Sequence, residues 1–269
     1  MTPPPRTAAS RRVPLTSAPN MRDLGGLPVA RGVVRTGEIF RSASLAVLTD
    51  DGRVALADLG IATVYDMRTA QEQARKPDRL PASARSVSLD VLADDQGDAS
   101  IGAAIMSGHA REVADLLEEG GAAAIIGKSY RKFIRLASAH TAYEAFLRGL
   151  ANPERHGAAL FHCATGKDRT GWAAVCLLRI LGAEDDVILD DYLQTNTDLL
   201  PTIQPVLDKA EADGVDPELV LPILTVHERN LEAADDEVTR VLGSFDAYLS
   251  KGLGLDEETL EALRERFVE

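Results

Sequence analysis

The chain has 269 residues, of which 45% are hydrophobic and 26% charged, and this ordinary globular mixture excludes wholesale disorder, collagen-like repeats and coiled-coil arrays. Its 29 basic and 42 acidic residues give a formal net charge of −13, which argues against nucleic-acid binding, because that function needs a basic face. The chain has only two cysteines and lacks the run of about 18 apolar residues that a membrane span needs. We therefore expect a reducing compartment, no disulfide framework and no stable membrane insertion.

Residues 1–19 predict a tail outside the folded domain. They are rich in proline, arginine, serine and threonine, and they lack the apolar centre of a signal peptide. We expect a flexible N-terminal tail followed by a single domain over residues 20–269. A protein with this N-terminal sequence is expected in the cytoplasm, unless it is secreted by a non-standard route.

Short β-branched segments alternate with helical patterns up to residue 163. Strands are predicted at residues 33–40, 61–67, 86–91 and 158–162. Helices are predicted at residues 49–59, from the capping-box residue Thr69 onward, and at residues 128–150 and 170–181. This alternation predicts an α/β fold with a central, mainly parallel sheet flanked by helices.

Two regions depart from that alternation. Residues 94–108 are polar and begin with an acidic run, which favours a mobile loop or short helices. Beyond residue 181 almost every segment has a helical pattern. The prolines of this region are expected to divide it into short helices: Pro201, Pro205, Pro217 and Pro222.

The segment with the clearest chemistry begins at His162 and has the sequence HCATGKDRTG. Five residues separate Cys163 from Arg169, and the segment lies between an apolar strand and an apolar helix. A loop of this length can turn successive N–H groups inward to hold phosphate oxygens, and the helix start adds its positive dipole end. The planar guanidinium of Arg169 can bind two oxygens, and the same positive field favours a thiolate at Cys163.

The loop therefore predicts hydrolysis of a phosphate ester by a cysteine nucleophile, without a metal or another cofactor. Cys163 is the expected nucleophile, and Thr170 is expected to donate a hydrogen bond to its thiolate. The expected phosphate-binding residues are Ala164, Thr165, Gly166, Lys167, Asp168 and Arg169.

Three other interpretations explain less of the loop. A buried structural cysteine would account for Cys163 but not for the charged residues that follow it. An ATP-binding phosphate loop needs glycine five residues before Gly166 and serine or threonine after Lys167, whereas this chain has Phe161 and Asp168 there. Sulfur transfer also uses a cysteine in an anion-binding loop, and it stays open.

The segment resembles the tyrosine phosphatase superfamily, and most closely its bacterial HCxxGKDRTG branch, the tyrosine phosphatase B type of mycobacteria. Further blocks are similar to that branch between about residues 20 and 200: NMRDLGG at 20–26, FRSA at 40–43, LTD at 48–50, DMRT at 66–69 with Glu72, and DYL at 191–193 with Asn196. The resemblance implies a cysteine-phosphatase fold, a phosphocysteine intermediate and broad substrate choice. It also implies a helical lid, which we place at about residues 199–233. Ala164 stands where that branch often has an aromatic residue.

A phosphatase also needs a general acid to protonate the leaving oxygen. The only tryptophan is Trp172, so no Trp-Pro-Asp loop is present, and no aspartate lies between Asp115 and Asp168. Asp168 is therefore the leading candidate, and the resemblance implies the same position. A bracing role for Asp168 stays open, as do other acids on or after the strand at 86–91: Asp90, Asp94, Asp95 and Asp98.

Charged residues near glycines and strand ends are expected to support the loop. His162 is expected to hydrogen-bond the loop backbone and tune the thiolate. A structural salt-bridge network is expected from Arg22, Asp23, Asp66 and Arg68, with substrate contact by Arg22 or Arg68 as the alternative. Lys167 would either contact a second phosphate or an acidic side chain, or lie in solvent.

The predicted function is a metal-independent protein-tyrosine phosphatase, with phosphoserine and phosphothreonine as further candidate substrates. Its expected partners are phosphorylated proteins or phosphoinositides, and its product is inorganic phosphate. Two alternatives remain, a phosphoinositide phosphatase and a non-catalytic module that binds phosphorylated ligands. Lys167 favours the first alternative, whereas the intact Cys163, Asp168 and Arg169 argue against the second.

Overall fold

The computed structural model describes residues 11–95, 105, 106, 108–118 and 121–269. Its main sheet has five strands in the order β1 (Arg22–Asp23), β4 (Ile39–Ser42), β7 (Ala158–His162), β5 (Ile61–Asp66) and β6 (Arg85–Ser88). Neighbouring strands are parallel except β1 and β4, which are antiparallel. A separate antiparallel ribbon pairs β2 (Pro28–Val29) with β3 (Gly32–Val33). The predicted α/β fold with a mainly parallel central sheet is confirmed.

Helices make up most of the remaining described chain. In chain order they are α1 (Asp50–Asp58), α2 (Ala70–Arg75), α3 (Ala110–Glu118), α4 (Gly121–Arg135), α5 (Ala137–Ala151), α6 (Arg169–Leu181), α7 (Asp185–Ala212), α8 (Pro217–Leu224), α9 (Glu228–Leu242), α10 (Phe245–Ala247), a π-helical turn (Tyr248–Gly252) and α11 (Glu257–Phe267). Within the described residues, none of these helices combines the length and the apolar character that crossing a membrane requires.

The central strand β7 is buried on both faces. Its adjacent residues Leu160 and Phe161 are fully buried and belong to two different hydrophobic clusters. Because successive side chains of a strand point to opposite faces, these two clusters lie on opposite sides of the sheet. The short continuous apolar run of β7 is typical of a parallel strand covered by helices.

Two helical regions differ from the sequence prediction. The helix predicted at 128–150 is two helices, α4 and α5, which are separated at Leu136. Pro201 and Pro205 were expected to end helices, yet both lie inside α7, a helix of 28 residues. Both prolines are exposed and four residues apart, so they share one solvent-facing side, where water can bind the carbonyls that lose their partners. Pro217 starts α8 as its first residue, whereas Pro222, which is also expected to divide the region, lies inside α8.

Residues 11–19 differ from the expected flexible tail. Arg11 is only 3% exposed, and its Nη1 lies 2.9 Å from Asp191 Oδ1. Ala18 is fully buried, and Arg12 forms a β-bridge with Arg22. This segment is therefore part of the folded domain, because it supplies a buried cation to a helix far along the chain. Residues 1–10, and most of the loop expected at 94–108, lie outside the described residues.

Candidate active site

The candidate site lies where three parallel strands end side by side. In the sheet register His162 of β7 pairs with Ser42 of β4 on one side and with Asp66 of β5 on the other. The chain leaves β7 at Cys163 and reaches α6 at Arg169, so residues 163–168, here called the cysteine loop, sit at this edge. Such an edge of a parallel sheet is where open α/β folds bind ligands.

The carbonyl oxygens of the cysteine loop are held by groups outside it. Those of residues 164–166 accept hydrogen bonds from the Ser44 amide (3.0 Å), the Asn20 side-chain amide (3.2 and 3.0 Å) and the Arg41 guanidinium (3.0 Å). Each peptide plane that anchors its carbonyl outward turns its N–H toward the other side. Among the described residues, the amides of 164–168 donate to no protein group. The loop thus has the free amides that an anion nest requires.

Gly166 gives the loop its shape. Its φ of +69° lies in the left-handed region, and a Cβ at this position would come within 2.2 Å of the Ser42 carbonyl oxygen. The loop therefore packs so closely on the end of β4 that only glycine fits.

Cys163 and Thr170 are both enclosed. Cys163 is 2% exposed, and Thr170, in the first turn of α6, is fully buried. Within the described part of the chain the Thr170 hydroxyl has no hydrogen-bond partner, so its hydrogen remains available to an acceptor. A negative charge on Cys163 would raise the pKa of both Arg169 and Arg41, because both guanidinium groups lie near the sulfur.

Arg169 is oriented by Glu72 of α2. Its Nη1 lies 2.7 Å from Glu72 Oε2, and its Nη2 lies 3.1 Å from Oε1. Burial disfavours both charges, but each offsets the other. The bond to Arg169 lowers the pKa of Glu72 to about 2, and the Cys163 thiolate with Glu72 raises the pKa of Arg169 above its ordinary value. Glu72 is held in turn by the predicted capping box with Thr69, which the structure confirms.

Asp168 lies just before α6, one quarter exposed, between two hydrogen-bond donors. The Lys167 Nζ lies 3.0 and 2.8 Å from its two oxygens, and the Tyr130 hydroxyl lies 3.1 Å from Oδ1. Tyr130 also shares a 2.5 Å hydrogen bond with Tyr192, to which Asn230 donates at 3.3 Å. Burial holds the pKa of Tyr130 well above its ordinary value, so the phenol keeps the hydrogen that it can donate. Lys167 itself is buried against Asp168 and does not extend into solvent.

The other candidate acids make structural contacts. Asp90 accepts from the amides of Ala70 (2.7 Å) and Leu92 (3.0 Å). Asp94 accepts from Ser138, and that bond lowers the pKa of Asp94. Lys132 Nζ lies 2.7 Å from a carboxylate oxygen of Asp95. Asp98 lies outside the described residues.

A second buried cluster lies beneath His162. The Nδ1 of His162 is 3.0 Å from the Cys163 carbonyl oxygen, and the Nε2 of His162 is 2.9 Å from Asp78 Oδ2. Asp66, Asp78 and His162 could together approach a metal ion, but Arg68 Nη2 already lies 2.6 Å from Asp66 and 2.8 Å from Asp78. A guanidinium thus occupies the position of a cation. Burial opposes the charge of Asp78, yet His162 and Arg68 lower its pKa overall.

A third cluster is centred on Asp191 of α7, which is 1% exposed. Its carboxylate contacts Arg11 (2.9 Å), Arg22 (3.1 Å) and Arg41 (2.8 Å). Burial alone would raise the pKa of Asp191, but the three guanidinium groups hold it well below its ordinary value. Burial and the charge of Arg22 lower the pKa of Arg41 to about 10. Arg41 also donates a hydrogen bond to the Gly166 carbonyl, so it links the Asp191 cluster to the cysteine loop.

The supporting residues are held by ion pairs and hydrogen bonds within the protein, as a structural role requires. Arg22 and Arg68 are buried and engaged by acids, which favours bracing over substrate contact. Asp23 accepts from the amides of Gly25 (2.8 Å) and Gly37 (3.0 Å). Sequence reasoning did not assign the residues that orient the site from a distance: Asn20, Arg41, Glu72, Asp78, Tyr130 and Asp191. For Glu72 the capping box was an available signal, whereas nothing in the pattern marked Asp78 or Tyr130.

Comparison with known proteins agrees with this geometry. A sequence profile described as the tyrosine phosphatase family matches residues 13–269. The chain is similar to the triple specificity protein phosphatase PtpB of Mycobacterium tuberculosis, at 29% identity over 93% of this chain and 96% of that protein. It is also similar to a putative tyrosine-protein phosphatase of Cupriavidus necator, at 32% identity over 88% and 82% of the two chains. The chain therefore belongs to the tyrosine phosphatase family, and by that membership it is a protein-tyrosine phosphatase.

Proposed function

We propose that the protein hydrolyses phosphotyrosine through a covalent phosphocysteine on Cys163. The observation that supports this most directly is the cysteine loop, in which the amides of 164–168, directly after Cys163, donate to no group among the described residues. The Arg169 guanidinium is held beside it by Glu72. Donors fixed in place before the substrate arrives stabilise the charge that develops on the equatorial phosphoryl oxygens.

The reaction has two balanced steps. In the first, Cys163 Sγ attacks phosphorus, the bond from phosphorus to the tyrosine oxygen breaks, and Asp168 gives its proton to that oxygen. In the second, Asp168 takes a proton from water, the water oxygen attacks phosphorus, and the sulfur–phosphorus bond breaks to release inorganic phosphate. Thr170, whose hydroxyl is buried without a partner among the described residues, donates a hydrogen bond to the departing thiolate.

Residues 199–233 form the lid in this proposal. Cys163 is almost fully enclosed, so a substrate reaches it only after some segment moves. The segment covers the second half of α7, all of α8 and the start of α9, and it includes His227. Burial and the charges of Arg229 and Lys167 lower the pKa of His227, which indicates that this segment lies close to the cysteine loop.

The substrate range in this proposal extends beyond phosphotyrosine to phosphoserine and phosphothreonine. The name of the M. tuberculosis relative states triple specificity for that protein, which supports more than one substrate class here. Phosphoinositides are a weaker candidate, because Lys167, the residue that favoured them, is buried in an ion pair with Asp168.

The test is release of phosphate from p-nitrophenyl phosphate and from a phosphotyrosine peptide, with EDTA present, over about pH 4 to 8. We expect turnover by the wild-type chain and none by Cys163→Ser. Nitrophenolate leaves without help, so Asp168→Asn should slow the peptide far more than the small ester. Equal losses on the two substrates would assign Asp168 a bracing role, and turnover by Cys163→Ser would overturn the proposal.

A further inference from the structure

A cavity of about 400 Å³ lies between helices α4 and α9. Its floor is made of small residues, among them Gly127 and Ala233. A Cβ at position 127 would come within 3.2 Å of Arg131 Nη1, so the glycine leaves room for that guanidinium to fold over the floor. Three cations line the cavity: Lys128, Arg131 and Arg229. We call this cavity the cationic pocket.

These three cations differ from their neighbours on the same helices. Arg135, one turn after Arg131 on α4, and Arg240, about three turns after Arg229 on α9, both contact the carboxylate of Glu237. In the part of the chain that the structure describes, none of Lys128, Arg131 and Arg229 forms an ion pair. In a protein of net charge −13, three cations that have no ion-pair partner among the described residues make a local site for an anion around this cavity.

A chain of three hydrogen bonds links the cationic pocket to Asp168, the candidate general acid. Asn230, which lines the cavity, donates to Tyr192, Tyr192 shares a hydrogen bond with Tyr130, and Tyr130 contacts Asp168. Tyr130 lies on α4 one residue before Arg131. On the other side, the charge of Arg229 and that of Lys167 both act on His227. Three hydrogen bonds thus separate a residue of the pocket wall from Asp168, a spacing that a residue flanking the phosphotyrosine can cover.

We propose that the cationic pocket binds a second anionic side chain of a phosphorylated protein substrate, at a position flanking the phosphotyrosine. The inference rests on the proposed function and adds a preference for acidic phosphopeptides to it. The ligand chemistry is a carboxylate or a second phosphoryl group, since guanidinium groups bind either with paired hydrogen bonds. The small-residue floor leaves space for the side chain that carries the anion.

The test measures peptide binding to Cys163→Ser by fluorescence anisotropy. Three labelled phosphotyrosine peptides of equal length carry glutamine, glutamate or phosphoserine at the flanking positions. We expect the glutamate and phosphoserine peptides to bind more tightly than the glutamine peptide. Adding Arg131→Gln and Arg229→Gln should reduce that preference by about two- to fivefold for each cation removed, the range for a partly exposed ion pair.

The matched control adds Arg31→Gln and Lys251→Gln, which remove the same charge from exposed positions outside the pocket. This control should keep the preference. Equal affinity for the three peptides, absence of binding, or equal losses in the two double variants would overturn the pocket. A preference for only one anion identifies which group the pocket takes. Turnover of p-nitrophenyl phosphate by the wild-type chain tests the proposed function separately.

Discussion

The guanidinium of Arg169 donates two hydrogen bonds to the carboxylate of Glu72, with nitrogen-to-oxygen distances of 2.7 and 3.1 Å. A guanidinium has five N–H hydrogens. Nη1 also donates to the Met67 carbonyl at 3.3 Å, so Nε–H and the second hydrogen of Nη2 are left for a phosphate. Glu72 therefore sets the direction of the remaining donors, so the side chain of Arg169 is already oriented when phosphate binds.

Replacing Glu72 by glutamine should separate this orienting effect from folding. The amide keeps the size of the side chain but has only one acceptor oxygen, so the fork of Arg169 loses its paired contact. We expect kcat/KM for a phosphotyrosine peptide to fall about ten- to a hundredfold, the scale of a small misplacement in an active site. Glu144→Gln, which breaks the exposed pair with Arg148, is the matched control and should have little effect. An unchanged affinity for vanadate in Glu72→Gln would contradict the orienting role.

Gly166→Ala should abolish activity while a second glycine variant does not. A methyl group at 166 would overlap the Ser42 carbonyl, so the loop amides must move away from the anion position. We expect more than a hundredfold loss of kcat/KM. Gly37→Ala is a fitting control, because Gly37 also has positive φ (+79°) but has open space around its Cβ position. It should cost roughly 1 kcal/mol of stability and keep activity. Equal activity in the two variants would show that the loop relaxes around the methyl group.

Tyr130→Phe should change how strongly the rate depends on the leaving group. The variant removes the hydrogen bonds to Asp168 and Tyr192, and it leaves Arg169 and its contact with Glu72 unchanged. We expect kcat on a phosphotyrosine peptide to fall about tenfold, as for loss of a hydrogen bond to a charged group, with a smaller loss on p-nitrophenyl phosphate. Tyr248→Phe removes another buried phenol, the partner of Trp172, and should not change that ratio. Identical ratios in both variants would assign Tyr130 a packing role only.

Acid should destabilise the fold below about pH 4.5. The folded pKa of Glu72 is about 2, below its ordinary 4.5, and that of Asp191 is lowered from 3.8. A depressed carboxyl pKa contributes stability that is complete above the unfolded value and is lost as pH falls toward the folded one. The free energy of unfolding, measured with urea at several pH values, should therefore decline between about pH 4.5 and 2.

Asp191→Asn is the variant that tests the source of this decline. It removes the carboxylate that Arg11, Arg22 and Arg41 share, and we expect it to cost about 3–5 kcal/mol at neutral pH. The remaining stability should depend less steeply on acid than that of the wild type. A variant with the wild-type dependence would place the acid-sensitive groups elsewhere.

The features that could be predicted from the sequence are those formed by residues close together in the chain. Cys163, Gly166 and Arg169 form one contiguous motif, and the capping box of Thr69 and Glu72 spans a single turn, so pattern and spacing were sufficient for both. Contacts between distant segments were not predictable in this way. Glu72 is 97 residues from Arg169, and Asp78 is 84 residues from His162. Such pairs are set by how the strands order in the sheet, which periodicity does not encode.

The helices show the same division between local signal and tertiary packing. Thr170–Leu181 has a plain apolar pattern and was predicted within one residue of α6. Pro201 and Pro205 are strong local signals against a helix, yet α7 continues through them, with buried residues on both sides such as Leu199 and Ile203. Packing of that apolar stripe outweighs the lost hydrogen bonds.

Asp191 joins segments that begin at residues 11, 22 and 41 to the helix after the cysteine loop. Because one carboxylate serves all of them, detachment of any of these segments should disturb Arg41, which holds the Gly166 carbonyl of the loop. Loss of catalysis in denaturant should then coincide with the cooperative unfolding of the whole domain. We therefore expect enzymatic activity in denaturant to report the unfolding of the segments that Asp191 joins.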